Sequence, residues 1–447
     1  MIDTYENNGY NYSTSMGDSG NNLSGVAKIK VIGVGGAGNN AVDRLIESGL
    51  RSAEYIVVNT DNQALARSRA SKRIQIGVQL TKGLGAGADP TIGKAAAEEN
   101  KEDIKAVLKD TDLLFITAGM GGGTGTGAAP VIAKLAKELK ILTVAVVTLP
   151  FTFEAKRRMD NAMMGIEELK KTVDSIIMVP NDKICQVVPK DTSFAEALKV
   201  ADEVLRQGIR GIAELIVKSS LINLDFADVK TTLKDRGIAH MGIGVAKGEK
   251  RIFDAVRCAV CSPLLNTTIE GASSVILNVI GGKDLSIGEV RTAADLVKGV
   301  IDYSANVIFG ACIDEGMSDE VEVVIIATGF KQSQNGFGLD AQNATLRQAS
   351  ALAQKIDNAY TRRESASAPS PYGYTVQQTP YVGQTPSYSQ YEQPYSTQGQ
   401  NGYVQPTNTA FEPDDPISEN NAEETPDRKH RPRFVDFFMK KNTDENK

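Results

Sequence analysis

Histidine is nearly missing from this chain of 447 residues: only His240 and His430 are present. A catalytic histidine dyad and a histidine-rich metal centre are therefore set aside, and His240 reads as a packing residue. Cysteine is almost as scarce. Cys185, Cys258, Cys261 and Cys312 are too few and too scattered for a disulfide scaffold. Cys258 and Cys261 form a C-x-x-C, but no second pair completes a zinc site. A helical pattern from Arg251 to Cys261 surrounds them, so they read as core thiols in a reducing cytoplasm. No apolar run approaches the ~20 residues that cross a bilayer. The polar stretch Met1 to Asn22 lacks the charged-then-apolar order of a secretory signal. A net charge of −6 removes the global basic field that would point to nucleic acid. The P-loop pattern G-x-x-x-x-G-K-[ST] is absent too: Gly93-Lys94 and Gly282-Lys283 are followed by Ala95 and Asp284.

Glycine is what the chain has instead, and it is clustered. The run Gly119-Met120-Gly121-Gly122-Gly123-Thr124-Gly125-Thr126-Gly127 follows the strand-like Leu113 to Ala118 and leads into a helix-like segment, Ala128 to Leu139. Such a run leaves backbone N–H groups free to converge on an anion and removes the side chains that would hold it away. Pro130 suits a first helical turn, where its missing N–H is not needed.

An earlier strand, Lys28 to Val34, enters Gly35-Gly36-Ala37-Gly38-Asn39-Asn40, and the following helix carries Ala41, Val42, Leu45 and Ile46 on one side. The next strand, Tyr55 to Asn59, ends at Thr60-Asp61. This alternation predicts a parallel sheet with helices on both faces. A third glycine-rich loop, Lys82 to Ala88, also follows an apolar stretch. Loops after parallel strands gather at the carboxyl edge of the sheet, and three of them there suit a phosphate chain. Gly33, Gly35 and Gly38 also spell G-x-G-x-x-G, with Asp61 near the offset of a ribose-binding acid. A Rossmann-type dinucleotide-binding oxidoreductase is thus the alternative reading.

The body runs from about Val26 to Phe330. Between Glu364 and Asp427 there is no Lys or Arg; Pro, Gln, Ser, Thr, Asn and seven tyrosines stand there instead, a composition that buries too little to order itself. From Phe194 to Val217, the apolar residues Leu198, Ala201, Leu205, Ile209, Ile212, Leu215 and Ile216 recur at helical spacing. A helix of that extent is ~30 Å long. Gly208 and Gly211 lower its propensity, so tertiary packing must hold it.

The 119–127 run resembles the tubulin-type signature G-G-G-T-G-[ST]-G, and the chain is similar to the FtsZ family, the bacterial relatives of tubulin. The likeness extends from about Ile29 to Phe330 and includes Gly33 to Asn40, Thr81 to Asp89, Pro150 to Arg158 and Asn223 to Val229. It implies a tubulin-like α/β fold: a Rossmann-type parallel-sheet GTP-binding domain (27–200), a long central helix (201–222) and a second, smaller α/β domain (223–330) with a catalytic loop at its start. Disordered segments flank this body: an N-terminal tail (1–26), a mostly disordered linker (331–427) and a partner-docking peptide (428–447).

The resemblance also implies a function. The chain would then be a GTPase that binds GTP and GDP, polymerises head to tail and hydrolyses GTP at the subunit interface. Its filaments would form a cytokinetic ring in the cytoplasm, beneath the membrane at the bacterial division site. Gly36, Ala37, Gly38, Asn39 and Asn40, with Gly123, Thr124 and Gly125, would hold the phosphates. Glu154 would take the ribose hydroxyls, Arg158 the phosphates or ribose edge, and Asp202 guanine N1 and its 2-amino group. Asp225 and Asp228, with Asn223, would orient water from the neighbouring subunit; Mg²⁺ would be held mainly through phosphates and water.

Other roles fit the same residues. Glu154 and Arg158 stand at the spacing of an exposed i,i+4 ion pair, and Asp225 or Asp228 suits a cap on the next helix. Leu198 stands where the family commonly has an aromatic residue, while Leu149 and Ala155 replace a Lys and a Gly. Leu198 alone leaves a weakly hydrolysing structural paralogue as a further alternative. Phe434, Phe437 and Phe438 in the last segment resemble the peptide that docks membrane-tethering and regulatory division proteins, although Asp436 replaces a usual proline.

Overall fold

The computed structural model describes residues 27–49, 53–189, 192–217, 225–262, 269–330, 351–358 and 360–361. Its first six strands are β1 (Ile29–Val34), β2 (Glu54–Asn59), β3 (Lys72–Gln75), β4 (Leu113–Gly119), β5 (Leu142–Leu149) and β6 (Ser175–Pro180). They run parallel in the order β3-β2-β1-β4-β5-β6. Every residue of β1 and β5 is buried, as expected of strands covered on both faces. Helices Gly35–Glu47 and Phe194–Val217 cover one face. Helices Pro90–Glu99, Lys101–Leu108, Thr124–Glu138 and Lys156–Lys170 cover the other.

Register decides where ligand-binding loops can form. Val34 pairs with Val58 and Ala118, Ala118 with Val147, and Val147 with Met178. Five strands therefore end nearly level, and the loops that follow them share the carboxyl edge.

The remaining strands are β7 (Gly237–Lys247), β8 (Ser274–Gly281), β9 (Asn306–Ile313) and β10 (Glu320–Thr328). β7 pairs in parallel with β6 through Ser175↔Gly237 to Ile177↔Ala239. The two expected α/β regions thus share one ten-stranded sheet, ending β6-β7-β10-β8-β9. β10 lies antiparallel between β7 and β8.

The central helix spans Phe194–Val217, starting earlier than the expected 201–222; residues 218–222 lie outside the described residues. Its 24 residues reach ~36 Å. Its glycines have a packing reason. A Cβ at Gly208 would stand 3.1 Å from Met241 of β7, and one at Gly211 3.0 Å from Val324 of β10. Close approach to β7 and β10 offsets the propensity these residues forgo.

The structure corrects one boundary. Residues 331–427 read as linker, yet 351–358 and 360–361 are helical. Leu352 and Ile356 are fully buried in the core of the second region, and Tyr360 packs against Phe253 with ring centroids 4.4 Å apart. Ion pairs Arg257–Asp357 and Lys355–Glu270 flank them. Three apolar residues at i, i+4, i+8 spacing form a helical stripe that a polar surrounding composition hides.

Of the scarce residues, His240 packs against its neighbours as read, and Cys258 and Cys261 are half-buried. His240 is half-buried with its ring edge against Phe330, centroids 4.5 Å apart, and loss of solvent around the ring pushes its pKa down to about 4. Burial likewise raises the Cys258 thiol, and pushes Cys261 up to about 11, far from the range of reactive thiols.

Candidate functional site

The site begins with two helix N-termini. Helix Gly35–Glu47 starts directly after β1, and its N-cap Val34 makes no side-chain capping bond. Helix Thr124–Glu138 starts inside the glycine run, after N-cap Gly123, again without a side-chain cap. Neither first turn contains an acid. Each therefore presents N–H groups that have no intrahelical partner, at the positive end of its dipole.

These two ends touch. Gly35 has φ +72°, and a Cβ there would stand 2.9 Å from the Gly125 N. The third loop joins them. A Cβ at Gly123 would meet Ala86 at 2.8 Å and Asp89 N at 2.9 Å, and Asn62 N donates to Gly83 O at 3.1 Å. The Thr60 and Thr124 hydroxyls share a buried hydrogen bond of 2.7 Å. All three expected glycine loops thus converge at the carboxyl edge.

The glycines divide into two classes. Gly33, Gly38, Gly93, Gly119, Gly125 and Gly127 are glycine because neighbouring protein atoms leave no room: their Cβ atoms would approach other residues to 2.0–2.7 Å. At Gly36 and Gly122 a Cβ would meet nothing within 4 Å. Protein packing does not demand glycine at those two positions, and both line the open side of the cradle.

The expected phosphate contacts sort accordingly. Gly36 and Asn40 are exposed, one helical turn apart, with Ala37 half-buried beside them. Gly38 and Asn39 are buried instead. In the amide orientation that gives each atom a partner, Asn39 donates to Gly35 O and Gly33 O and accepts from Asn59 Nδ2. It braces the loop from beneath. Gly123, Thr124 and Gly125 are also buried, leaving Gly122 as the open residue of the signature, which the sequence reading passed over.

Two local expectations need correction. The helix after the glycine run begins at Thr124 rather than Ala128, so Pro130 lies inside it and not in its first turn. Asp61, the apparent ribose acid of a dinucleotide site, caps helix Asn62–Arg67, its Oδ1 accepting from Gln63 N and Ala64 N.

Beside the cradle, Glu154 and Arg158 form the i,i+4 ion pair at 3.1 Å. They also face the glycine run: a Cβ at Gly121 would meet Arg158 O at 2.7 Å and its Cγ at 2.8 Å. Phe151 N donates to Glu154 Oε1 at 2.9 Å, and Thr152 bonds Asp182, tying this loop to the end of β6. Ala155 between them has φ 81° and ψ 148°. The other described non-glycine residues with positive φ lie at 52–60°. Ala155 stands close to a region populated almost only by glycine, at a cost of roughly 1–3 kcal/mol.

Asp202 lies one helix away. Arg44 Nε donates to its Oδ2 at 3.0 Å, a pair the sequence could not announce across 158 positions. Burial raises the Asp202 carboxyl above the ordinary range, and Arg44 opposes that rise. Gly36 and Arg44 are eight residues apart on one helix, so Asp202 stands ~12 Å along from the cradle. Leu198, one turn before Asp202, is exposed and offers apolar surface there. Asn181, directly after β6, is buried with Oδ1 unpaired, a further polar group at this edge that sequence reasoning missed.

Asp225 and Asp228 are elsewhere, both exposed. Asp225 is the N-cap of helix Phe226–Leu233, its Oδ1 accepting from Asp228 N at 2.8 Å. The far end of that helix meets the start of β6: Ser175 Oγ donates to Leu233 O, and Arg236 N to Asp174 O. That end of the helix lies at the amino edge of the sheet, a strand length of ~20 Å from the edge that carries the cradle. Asn223 lies outside the described residues.

Comparison with known proteins agrees with this geometry. The "Tubulin/FtsZ family, GTPase domain" matches residues 28–189, and the "FtsZ family, C-terminal domain" matches 237–331. The chain is similar to an empty FtsZ dimer of M. jannaschii, with 48% identity and a TM-score of 0.66, covering 68% of this chain and 88% of that one. It is equally similar to a tryptophan-to-tyrosine mutant of M. jannaschii FtsZ, at 48% identity and a TM-score of 0.68, covering 70% and 94%. A GTPγS-bound protofilament of CetZ2 from Haloferax volcanii shares the fold at 21% identity, with a TM-score of 0.60 and coverage of 75% and 99%.

Proposed function

Because the chain belongs to the FtsZ family of tubulin-like proteins, we propose that it is a GTPase that assembles head to tail and hydrolyses GTP between subunits. The observation that carries this reading is the meeting of two uncapped helix N-termini, lined by Gly36 and Gly122, at which protein packing does not require glycine. Such a cradle suits the phosphates of a nucleotide through backbone N–H groups and both helix dipoles.

The remaining contacts follow the length of a nucleotide. Glu154 and Arg158 sit where ribose hydroxyls and phosphates would lie. Asp202, along the helix from the cradle, suits guanine, which presents N1–H and a 2-amino group as adjacent donors. Adenine presents no such pair. Among the described residues no cluster of three or more acids, cysteines or histidines suits a metal ion. A Mg²⁺ accompanying the triphosphate would be held by phosphate oxygens and water, neutralising charge during transfer.

Hydrolysis requires a group that orients water. Asp225 and Asp228 are suitable carboxylates, yet the helix they start ends at the opposite edge of the sheet from the cradle of their own chain. A second subunit stacked end to end brings the acids of one to the cradle of the next. Repetition of that heterologous contact does not close and so builds a filament. We place such filaments in the cytoplasm at a bacterial division site, with residues 428–447 docking membrane-tethering and regulatory proteins. Loss of 428–447 would then abolish that location while sparing assembly.

The test is GTP hydrolysis per subunit against protein concentration. A shared site gives activity only above an assembly threshold, with light scattering that rises on GTP and Mg²⁺ and decays with phosphate release. A rate per subunit that is independent of concentration would overturn the shared site. Binding of NAD(P)H in place of GTP would restore the oxidoreductase reading.

A further inference from the structure

We propose that Ala155 is a positioning residue that speeds nucleotide release by straining the loop that carries Glu154 and Arg158; this rests on the nucleotide site proposed above. Ala155 joins the short turn Thr152–Glu154 to helix Lys156–Lys170, at φ 81° and ψ 148°. Its carbonyl accepts from Arg158 N at 3.0 Å and Met159 N at 3.4 Å. The conformation of residue 155 therefore decides where this helix starts and where Arg158 lies.

Contacts on both sides hold the strain in place. The Glu154–Arg158 ion pair spans Ala155, the Phe151 N–Glu154 Oε1 bond anchors the turn before it, and Arg158 seats on Gly121 after it. Gly121 itself has φ +97°. Two facing backbone positions thus need positive φ, and only one of them is glycine.

The methyl of Ala155 is exposed, so it contributes no core packing in return for its backbone cost. If residue 155 relaxes to negative φ, the helix start turns away and both the ion pair and the Gly121 contact part. Opening of the loop therefore releases strain, and alanine favours the open loop over what glycine would allow. A nucleotide held by Glu154 and Arg158 needs the closed loop, so its apparent affinity falls with the closed fraction. Alanine at 155 is in this way a built-in accelerator of exchange.

The experiment measures dissociation of fluorescently labelled GDP, chased by excess GDP, from the full chain and from Ala155→Gly. Dissociation should slow by about fivefold, equal to ~1 kcal/mol. The same comparison in a Glu154→Gln background should give less than about twofold, since the loop acts through Glu154. An equal slowing in both backgrounds would show that Ala155 acts without Glu154 and would overturn the positioning role. An unchanged or faster rate in Ala155→Gly, with normal GDP binding, overturns this proposal alone. Wild-type protein that binds no labelled GDP overturns the nucleotide reading and this proposal with it.

Discussion

The two helix N-termini of the cradle and the N-terminus that carries Asp225 are built in opposite ways. At the carboxyl edge, helices Gly35–Glu47 and Thr124–Glu138 start with glycine or threonine, carry no acid in the first turn and receive no side-chain cap. Helix Phe226–Leu233 is instead capped by Asp225 and has Asp228 in its first turn. An unfilled positive end is suited to an anion from outside. A positive end already neutralised by its own carboxylate is suited to present that carboxylate elsewhere. Under the proposed function, the cradle would receive phosphate and Asp225 and Asp228 would supply acids to a neighbouring subunit.

Asp225→Asn tests the contrast hardest. Asparagine caps helices as well as aspartate does, so the helix should remain intact while the water-orienting charge is lost. Phosphate release should fall by roughly 100-fold or more, with GTP binding and sedimentable polymer retained. Normal turnover in this variant would reduce Asp225 to a cap and leave this N-terminus without a catalytic role.

The glycine classes give the next largest effects. Gly125→Ala forces a methyl to 2.7 Å from Gly119 O and should cost ~2 kcal/mol or more in denaturant unfolding. Gly36→Ala meets no protein atom and should instead gain ~0.5–1 kcal/mol of stability from helix propensity. Its affinity for GTP should nevertheless fall roughly tenfold, ~1.4 kcal/mol, in equilibrium binding. A Gly36→Ala protein that gains stability and keeps its affinity would remove the cradle from the nucleotide.

Asp202→Asn addresses the base. Selection of GTP over ATP should fall by roughly tenfold in competition binding. Because burial raises the Asp202 carboxyl, selectivity in the wild type should fade as pH drops, and at a higher pH than an ordinary aspartate would give. The smallest effect concerns the cap alone. Asp225→Ala should lose ~1 kcal/mol of stability, while Asp225→Asn loses little; equal stabilities would mean that the cap contributes nothing.

How much of this was legible in the chain differs from residue to residue. The three glycine loops were legible because glycine needed for positive φ or close backbone approach leaves a compositional mark. The mark does not say which glycines face ligand. Gly125 and Gly36 look alike in sequence, and only the neighbours of each, Gly119 O for one and open space for the other, separate them. The capping of Asp225 and the pairing of Glu154 with Arg158 were legible as local possibilities because both act within four residues. The Arg44–Asp202 pair and the partnerless Oδ1 of Asn181 were not, since each depends on elements brought together by the sheet. The docked helical residues 351–358 and 360–361 were missed because their stripe is only Leu352, Ile356 and Tyr360 in a polar context.

The sequence by itself determined the strand–helix alternation, the positions of the glycine loops, the long central helix and the family likeness, because these follow from local periodicity and from residue types with sharp backbone preferences. The tertiary structure decided which of those residues work together. Level strand ends bring three loops to one edge, and the helix that Asp225 caps ends at the opposite edge. Residue type sets what a group can do, whereas sheet register and helix length set what it can reach.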